Sequence, residues 1–140
     1  MKYAMTMLCS LDLEFKGEKM KFLVVDDSKL SRTKLVNMIL SLGYEVLGEA
    51  VDGLDAVDKF ELLSPSYITM DLEMPKLNGI GAAEKILTLN PNVNILLITS
   101  IVDKKETLQA THIGIKSILQ KPITQAMLSS ALEDIERKRS

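Results

Sequence analysis

The sequence predicts an α/β fold, a five-stranded parallel sheet with helices on both faces. Three observations predict it. Short apolar runs recur at a steady interval, at Lys21–Val25, Tyr44–Glu49, Tyr67–Met70, Asn94–Thr99 and Lys116–Gln120. Runs such as Phe22-Leu23-Val24-Val25 and Ile95-Leu96-Leu97-Ile98 are apolar at every position, which suits strands covered by helices on both sides. Between them lie segments with apolar residues at helical spacing.

Each helix carries its own punctuation. In the first, Leu35, Ile39 and Leu42 form the apolar stripe, Asp27 or Ser28 supplies the N-cap, and Gly43 ends it. In the second, the expected stripe is Leu54, Val57 and Leu62 with Phe60 nearby, opened by Asp52 or Gly53 and closed by Ser64-Pro65. Asn78-Gly79 precedes the third and Asn90-Pro91 follows it. The last helix is expected over about Thr124 to Lys138, with Arg137, Lys138 and Arg139 complementing the negative end of its dipole. Five strand-plus-helix units with right-handed crossovers leave few topologies.

Composition narrows the function. The chain has 140 residues, the size of one domain. Its 17 basic and 19 acidic side chains are interspersed, which argues against a sequence-blind nucleic-acid binder. One cysteine, Cys9, excludes an internal disulfide or multi-cysteine zinc site, and one histidine, His112, makes histidine-based metal or triad chemistry improbable. Near the end of the fourth helix, His112 reads as a surface or capping residue. Carboxylates, hydroxyls and lysines are left to carry any chemistry.

Residues 1–19 read as an N-terminal extension of unknown role, with a partner-binding or membrane-surface segment as the functional alternative. Their apolar run, Tyr3 to Leu11, is too short to span a bilayer and lacks a small-residue cleavage site. A cytoplasmic location without membrane insertion is therefore expected. Met20 is an alternative start, and residues 20–140 are expected to form the domain.

In an open parallel sheet, ligands bind at the carboxyl ends of the strands. Asp26-Asp27 follow the first strand, Asp71 the third, Thr99-Ser100 end the fourth, and Lys121-Pro122 follow the fifth. Each alone has an ordinary structural reading as cap, turn, strand end or solvated charge. Their joint occurrence is the signal. Two like charges about 4 Å apart repel by roughly 4 kcal/mol at an effective dielectric near 20, so converging carboxylates need a cation or raised pKa values. With only hard oxygen ligands at hand, Mg²⁺ is the natural cation. Beside a lysine and a threonine, such a site suits a phosphoryl group, with a carboxylate as nucleophile. Neither GxxxxGK[ST] nor GxGxxG occurs, which disfavours a nucleotide-binding fold.

These pieces resemble the receiver domain of two-component response regulators, and more closely the stand-alone chemotaxis type. The resemblance covers about Met20 to Ile135. It rests on Leu23-Val24-Val25-Asp26-Asp27-Ser28, Met70-Asp71-Leu72-Glu73-Met74-Pro75 leading to Asn78-Gly79, Ile98-Thr99-Ser100, and Lys121-Pro122. It implies a (βα)5 flavodoxin-like fold with strand order 2-1-3-4-5. Asp71 would be the phosphoacceptor, Asp26, Asp27, Asp71 and the backbone carbonyl of Glu73 the Mg²⁺ ligands, and Thr99 and Lys121 the phosphoryl contacts. A cis peptide is implied between Lys121 and Pro122. The implied partners are a histidine kinase as phosphodonor and a downstream protein bound through the fourth helix, fifth strand and fifth helix.

Some positions depart from that pattern. Ile118 stands where such receivers usually have a switching Tyr or Phe, so the loop and fourth helix become the expected signalling elements. Ser100 replaces a more common alanine and leaves the phosphoryl group accessible. Ile115 is bulkier than the frequent alanine. Glu73 is expected to project toward the site and tune the lifetime of the phosphorylated state, and Met74 to line it. The chain ends soon after the fifth helix, so the expected output is a protein-binding face. A phosphorylation-independent scaffold is one competing reading. An aspartate-nucleophile phosphohydrolase of the haloacid dehalogenase type is another, but Ser28 breaks the DxD motif that family needs and no acidic pair follows the fourth strand.

Overall fold

The computed structural model describes residues 20–139. The expected extension over residues 1–19, including Cys9, lies outside the described residues. In chain order the elements are β1 (Lys21–Val25), α1 (Lys29–Ser41), β2 (Glu45–Ala50), α2 (Gly53–Leu63), β3 (Tyr67–Asp71), α3 (Gly79–Leu89), β4 (Asn94–Thr99), α4 (Lys104–Ile113), β5 (Ser117–Gln120) and α5 (Gln125–Arg139). All strand pairs are parallel, and the sheet order is β2-β1-β3-β4-β5. Every strand boundary falls within one residue of its sequence expectation, and Asp71 proves to be the last residue of β3 rather than the first beyond it.

The unbroken apolar runs become central strands because both faces are covered. Strand alternation sends Phe22, Val24, Tyr67, Leu96 and Ile98 to one side, where they pack with Leu35 and Ile39 of α1 and Leu128, Leu132 and Ile135 of α5. It sends Leu23, Val25, Ile68, Met70, Ile95 and Leu97 to the other, against Ala56 and Phe60 of α2, Ala83 and Ile86 of α3, and Ala110 of α4. Each such aliphatic side chain contributes about 1.5–3 kcal/mol by leaving water. Truncating the fully buried Ile86 to alanine is accordingly expected to cost about 2–5 kcal/mol. On the α1 and α5 side, Phe22 and Tyr67 stack with ring centroids 5.1 Å apart, and the Tyr67 hydroxyl donates to Glu136.

The helices begin and end where the punctuation indicates. Ser28, Asp52, Asn78 and Asp103 are N-caps whose side chains accept backbone N–H groups of the first turn. Ser64 closes α2 in the left-handed region, and Gly114 closes α4 at φ +107°, a conformation that favours glycine. His112 lies exposed in the last turn of α4. The expected stripe of α2 needs correction: Leu54 and Leu62 are 51% and 76% exposed, and Gly53, Ala56 and Phe60 face the core. A small residue at Ala56 lets the helix approach the sheet, so the buried face turns away from Leu54 and Leu62, while the expected Val57 and Phe60 do pack on the core. Among the described residues, no helix is long and apolar enough to cross a membrane.

Candidate functional site

Parallel pairing aligns the carboxyl ends of the strands along one edge, and backbone bonds extend that alignment past the strand ends. Asp26 N–H donates to Ala50 O (3.1 Å), Leu72 N–H to Ile98 O (2.9 Å), and Lys121 N–H to Thr99 O (2.8 Å). These three bonds fix the loops that carry the candidate residues. Beneath the third loop, α3 starts so close to β3 that a β-carbon on Gly79 would stand 2.3 Å from Asp71 O. Only glycine fits there. From the sequence, Gly79 reads merely as a helix boundary; its contact with Asp71 depends on tertiary packing and leaves no local signal.

The carboxylates converge. Oxygen atoms of Asp26, Asp27 and Asp71 all lie within 4.8 Å of one another. Asp26 and Asp71 are buried while Asp27 is exposed, so the cluster has two inner members and one at its mouth. Asp26 is held by its own neighbourhood: its Oδ1 accepts the Ser28 N–H at 2.8 Å and its carbonyl accepts Arg32 Nη1 at 2.9 Å. Arg32 is braced in turn by Glu49, 2.9 Å from its Nε. Sequence reading misses Arg32 because it lies a helical turn beyond the acidic pair and belongs to no strand end.

Lys121 Nζ lies 3.1 Å from Asp71 Oδ1 and 3.7 Å from Asp26 Oδ2. Its contact with Asp71 is ionic, without the alignment of a good hydrogen bond, and among the described residues Asp71 Oδ1 has no hydrogen-bond partner. Burial pushes the Asp71 carboxyl up to about 6; the charges of Asp26 and Glu73 act the same way, and Lys121 opposes them. Burial works against the Lys121 ammonium, but Asp71 and Asp26 outweigh it and raise its pKa. One ammonium facing three carboxylates leaves a surplus of negative charge. Hard oxygen donors, that surplus and an unpartnered buried carboxylate oxygen together fit a small divalent cation.

The remaining residues surround this centre. Thr99, 2% exposed at the end of β4, donates its hydroxyl toward Glu73 Oε2 and Ile101 O, each at 2.9 Å. Glu73 thus does project toward the site through its side chain. Ser100 is exposed, with its carbonyl accepting Gln120 Nε2 at 3.3 Å. Ile118 is half-buried against the core under α2, α3 and α4. The Lys121–Pro122 peptide is cis. A cleft of about 420 Å³ opens over Asp26, Asp71 and Lys121, walled by Leu35, Met38 and Ile123. Across the acidic loop a second cleft is lined by Asp27, Glu73, Met74 and Glu106, which places Met74 beside the site.

The family model for the response regulator receiver domain matches residues 22–133. The chain belongs to that family. Among its relatives, the chemotaxis protein CheY of Thermotoga maritima is 34% identical over 117 residues, covering 84% of this chain and 98% of that protein. CheY of Treponema pallidum is 38% identical over 109 residues, 76% of each. In fold, the receiver resembles the chain solved in the CheX–CheY–BeF3–Mg²⁺ complex of Borrelia burgdorferi, with a TM-score of 0.80 at 24% identity over 83% of this chain and 88% of that one. The protein is therefore a receiver domain of the CheY type, a signalling domain of two-component systems, with the flavodoxin-like order of strands.

Proposed function

We propose that this receiver accepts a phosphoryl group on Asp71 from a histidine kinase and thereby switches a protein-binding surface. The single observation that carries this reading is the convergence of Asp26, Asp27 and Asp71 with Lys121 at one end of the sheet. Asp71 is the carboxylate suited to attack. It is buried, paired among the described residues with Lys121 alone, and opens onto the cleft.

In the proposed step, an Asp71 oxygen attacks phosphorus of a phosphohistidine, the P–N bond breaks, and the departing imidazole takes a proton. The product is an acyl phosphate carrying about two negative charges. Lys121 offsets part of that charge, and Thr99 supplies a hydroxyl donor at the end of β4. Asp26, Asp27, Asp71 and the carbonyl of Glu73 would hold Mg²⁺. When bound, the ion supplies charge neutralisation to the transferring phosphoryl group. The Borrelia burgdorferi complex, whose CheY has this fold, includes both Mg²⁺ and the phosphoryl mimic BeF3, which supports the assignment.

The proposed output lies on α4, β5 and α5. Ile101, Val102 and Leu108 expose apolar side chains in the loop that follows Thr99 and along α4, where a shift of the hydroxyl would be felt. The partner is a protein, and the location cytoplasmic. Incubation with Mg²⁺ and acetyl phosphate, followed by intact-mass analysis, tests the reading. A single phosphoryl adduct on the wild type, absent from Asp71→Asn and present in Asp58→Asn, is expected. A wild type with neither adduct nor Mg²⁺-dependent BeF3 binding overturns it in favour of a phosphorylation-independent scaffold.

A further inference from the structure

We propose that Glu73 is a positioning residue that latches Thr99 in the unphosphorylated protein, so that phosphorylation must break a hydrogen bond before the switch can move. This deepens the phosphoreceiver reading and rests on it.

The geometry is specific. Glu73 leaves the site through the loop after β3, and its Oε2 lies 2.9 Å from Thr99 Oγ1 at the end of β4. Thr99 is almost fully buried, so water does not readily replace that partner. A hydroxyl has one proton to donate. Here both Glu73 Oε2 and Ile101 O compete for it, and the charged carboxylate is the stronger acceptor. A proton committed to Glu73 is not available to a phosphoryl oxygen on Asp71.

The same oxygen holds the next loop. The Ile101 N–H donates to Thr99 Oγ1 at 3.2 Å, so with its proton on Glu73 the threonine still holds the backbone of residue 101 through that N–H, Ile101 O being the alternative acceptor. Movement of the hydroxyl toward Asp71 breaks the Glu73 bond and releases the Ile101 N–H with it. Ile101 and Val102 are exposed, so release of the backbone changes the apolar surface offered to a partner. Glu73 thereby sets the threshold for switching: its bond stabilises the resting arrangement, and the phosphoryl group shifts the population only by exceeding it. A carboxylate at this position also repels an incoming anion, and the two effects separate experimentally because only the latch requires the threonine hydroxyl.

The test is a double-mutant cycle on Mg²⁺-dependent BeF3 affinity, with Glu73→Ala, Thr99→Val and the pair. Glu73→Ala is expected to bind BeF3 roughly three- to tenfold tighter, the range one modest hydrogen bond corresponds to. Most of that gain is expected to vanish when Thr99 is valine. Glu73→Gln, which keeps an acceptor without the charge, is expected to fall between wild type and Glu73→Ala. Equal gains with and without the hydroxyl would show charge repulsion alone and overturn the latch.

A second measurement needs no phosphoryl mimic. In the free protein, the Thr99 methyl and Ile101 amide resonances are expected to shift in Glu73→Ala and to return toward wild type in Glu73→Gln. Unmoved resonances overturn the latch whether or not the protein binds BeF3. Absence of BeF3 binding by the wild type overturns the phosphoreceiver reading instead.

Discussion

The Lys121 ammonium sits 3.1 Å from Asp71 Oδ1 and 3.7 Å from Asp26 Oδ2, one cation shared by two buried carboxylates, one just past the end of β1 and one closing β3. Removing it leaves those charges facing each other with no cation of the described residues between them. Lys121→Met keeps the aliphatic stem and deletes the charge. BeF3 affinity in Mg²⁺ is expected to fall roughly ten- to hundredfold, the range of a lost charge-assisted hydrogen bond. Mg²⁺ alone is expected to bind at least as well, because a competing positive charge is gone. Unchanged BeF3 affinity, measured by titration, would remove Lys121 from the phosphoryl-binding role.

The Asp71 carboxyl makes the ion-free protein sensitive to pH. Its ordinary value is 3.8, and burial pushes it up to about 6 in the fold. The native state therefore holds this proton more tightly than the unfolded chain. The stabilisation is fully present below about pH 4 and is lost as pH rises through about 6. Asp71→Asn removes the titration. In urea unfolding with chelator present, the variant is expected to exceed wild type at pH 7 by on the order of 1–2 kcal/mol, allowing for solvent at the open cleft, with the gap closing near pH 4. An equal gap at both pH values would assign the effect to packing. Added Mg²⁺ is expected to raise the wild type more than the variant.

Much of this was legible in the residues because two periodicities do not mimic one another. Runs such as Ile95 to Ile98, apolar at every position, announce strands covered on both faces, and their spacing announces the parallel sheet. Once the sheet is parallel, Asp26, Asp71, Thr99 and Lys121 must share an edge. The α2 face was legible only in part: Val57 and Phe60 do pack on the core, but Leu54 and Leu62 sit at helical spacing and are exposed, and the sheet selects Ala56 instead. Hydrophobicity alone does not report which face must approach closely. The Glu73 to Thr99 bond crosses from the loop after β3 to the end of β4, so neither sequence neighbourhood contains it.

The close approach of Gly79 to Asp71 has a cost that a single methyl group exposes. In Gly79→Ala, the added carbon would stand 2.3 Å from Asp71 O and 2.9 Å from the Leu72 α-carbon, both backbone atoms that move only with the loop. The variant is expected to lose about 1–3 kcal/mol despite the better helix propensity of alanine. Because the displaced backbone carries Asp71, Mg²⁺ affinity should weaken with stability. Full stability by urea denaturation, with Mg²⁺ binding intact, would show that the loop relaxes at no cost.

Thr69 gives the opposite case, a native residue that destabilises the resting fold. It stands in the middle of β3, fully buried, and its hydroxyl has no hydrogen-bond partner among the described residues. The residues next to it on the same face, Tyr67 and the paired strands' Val24 and Leu96, belong to the apolar layer under α1 and α5. Valine has the same branched shape without the oxygen. Thr69→Val is therefore expected to stabilise the protein by roughly 1–3 kcal/mol, the cost of leaving a buried hydroxyl unsatisfied. Its urea midpoint should rise with an unchanged slope, since the folded surface is the same. A fall in the midpoint would mean that the hydroxyl is satisfied in solution, and a water found beside Thr69 Oγ1 would then be the expected partner.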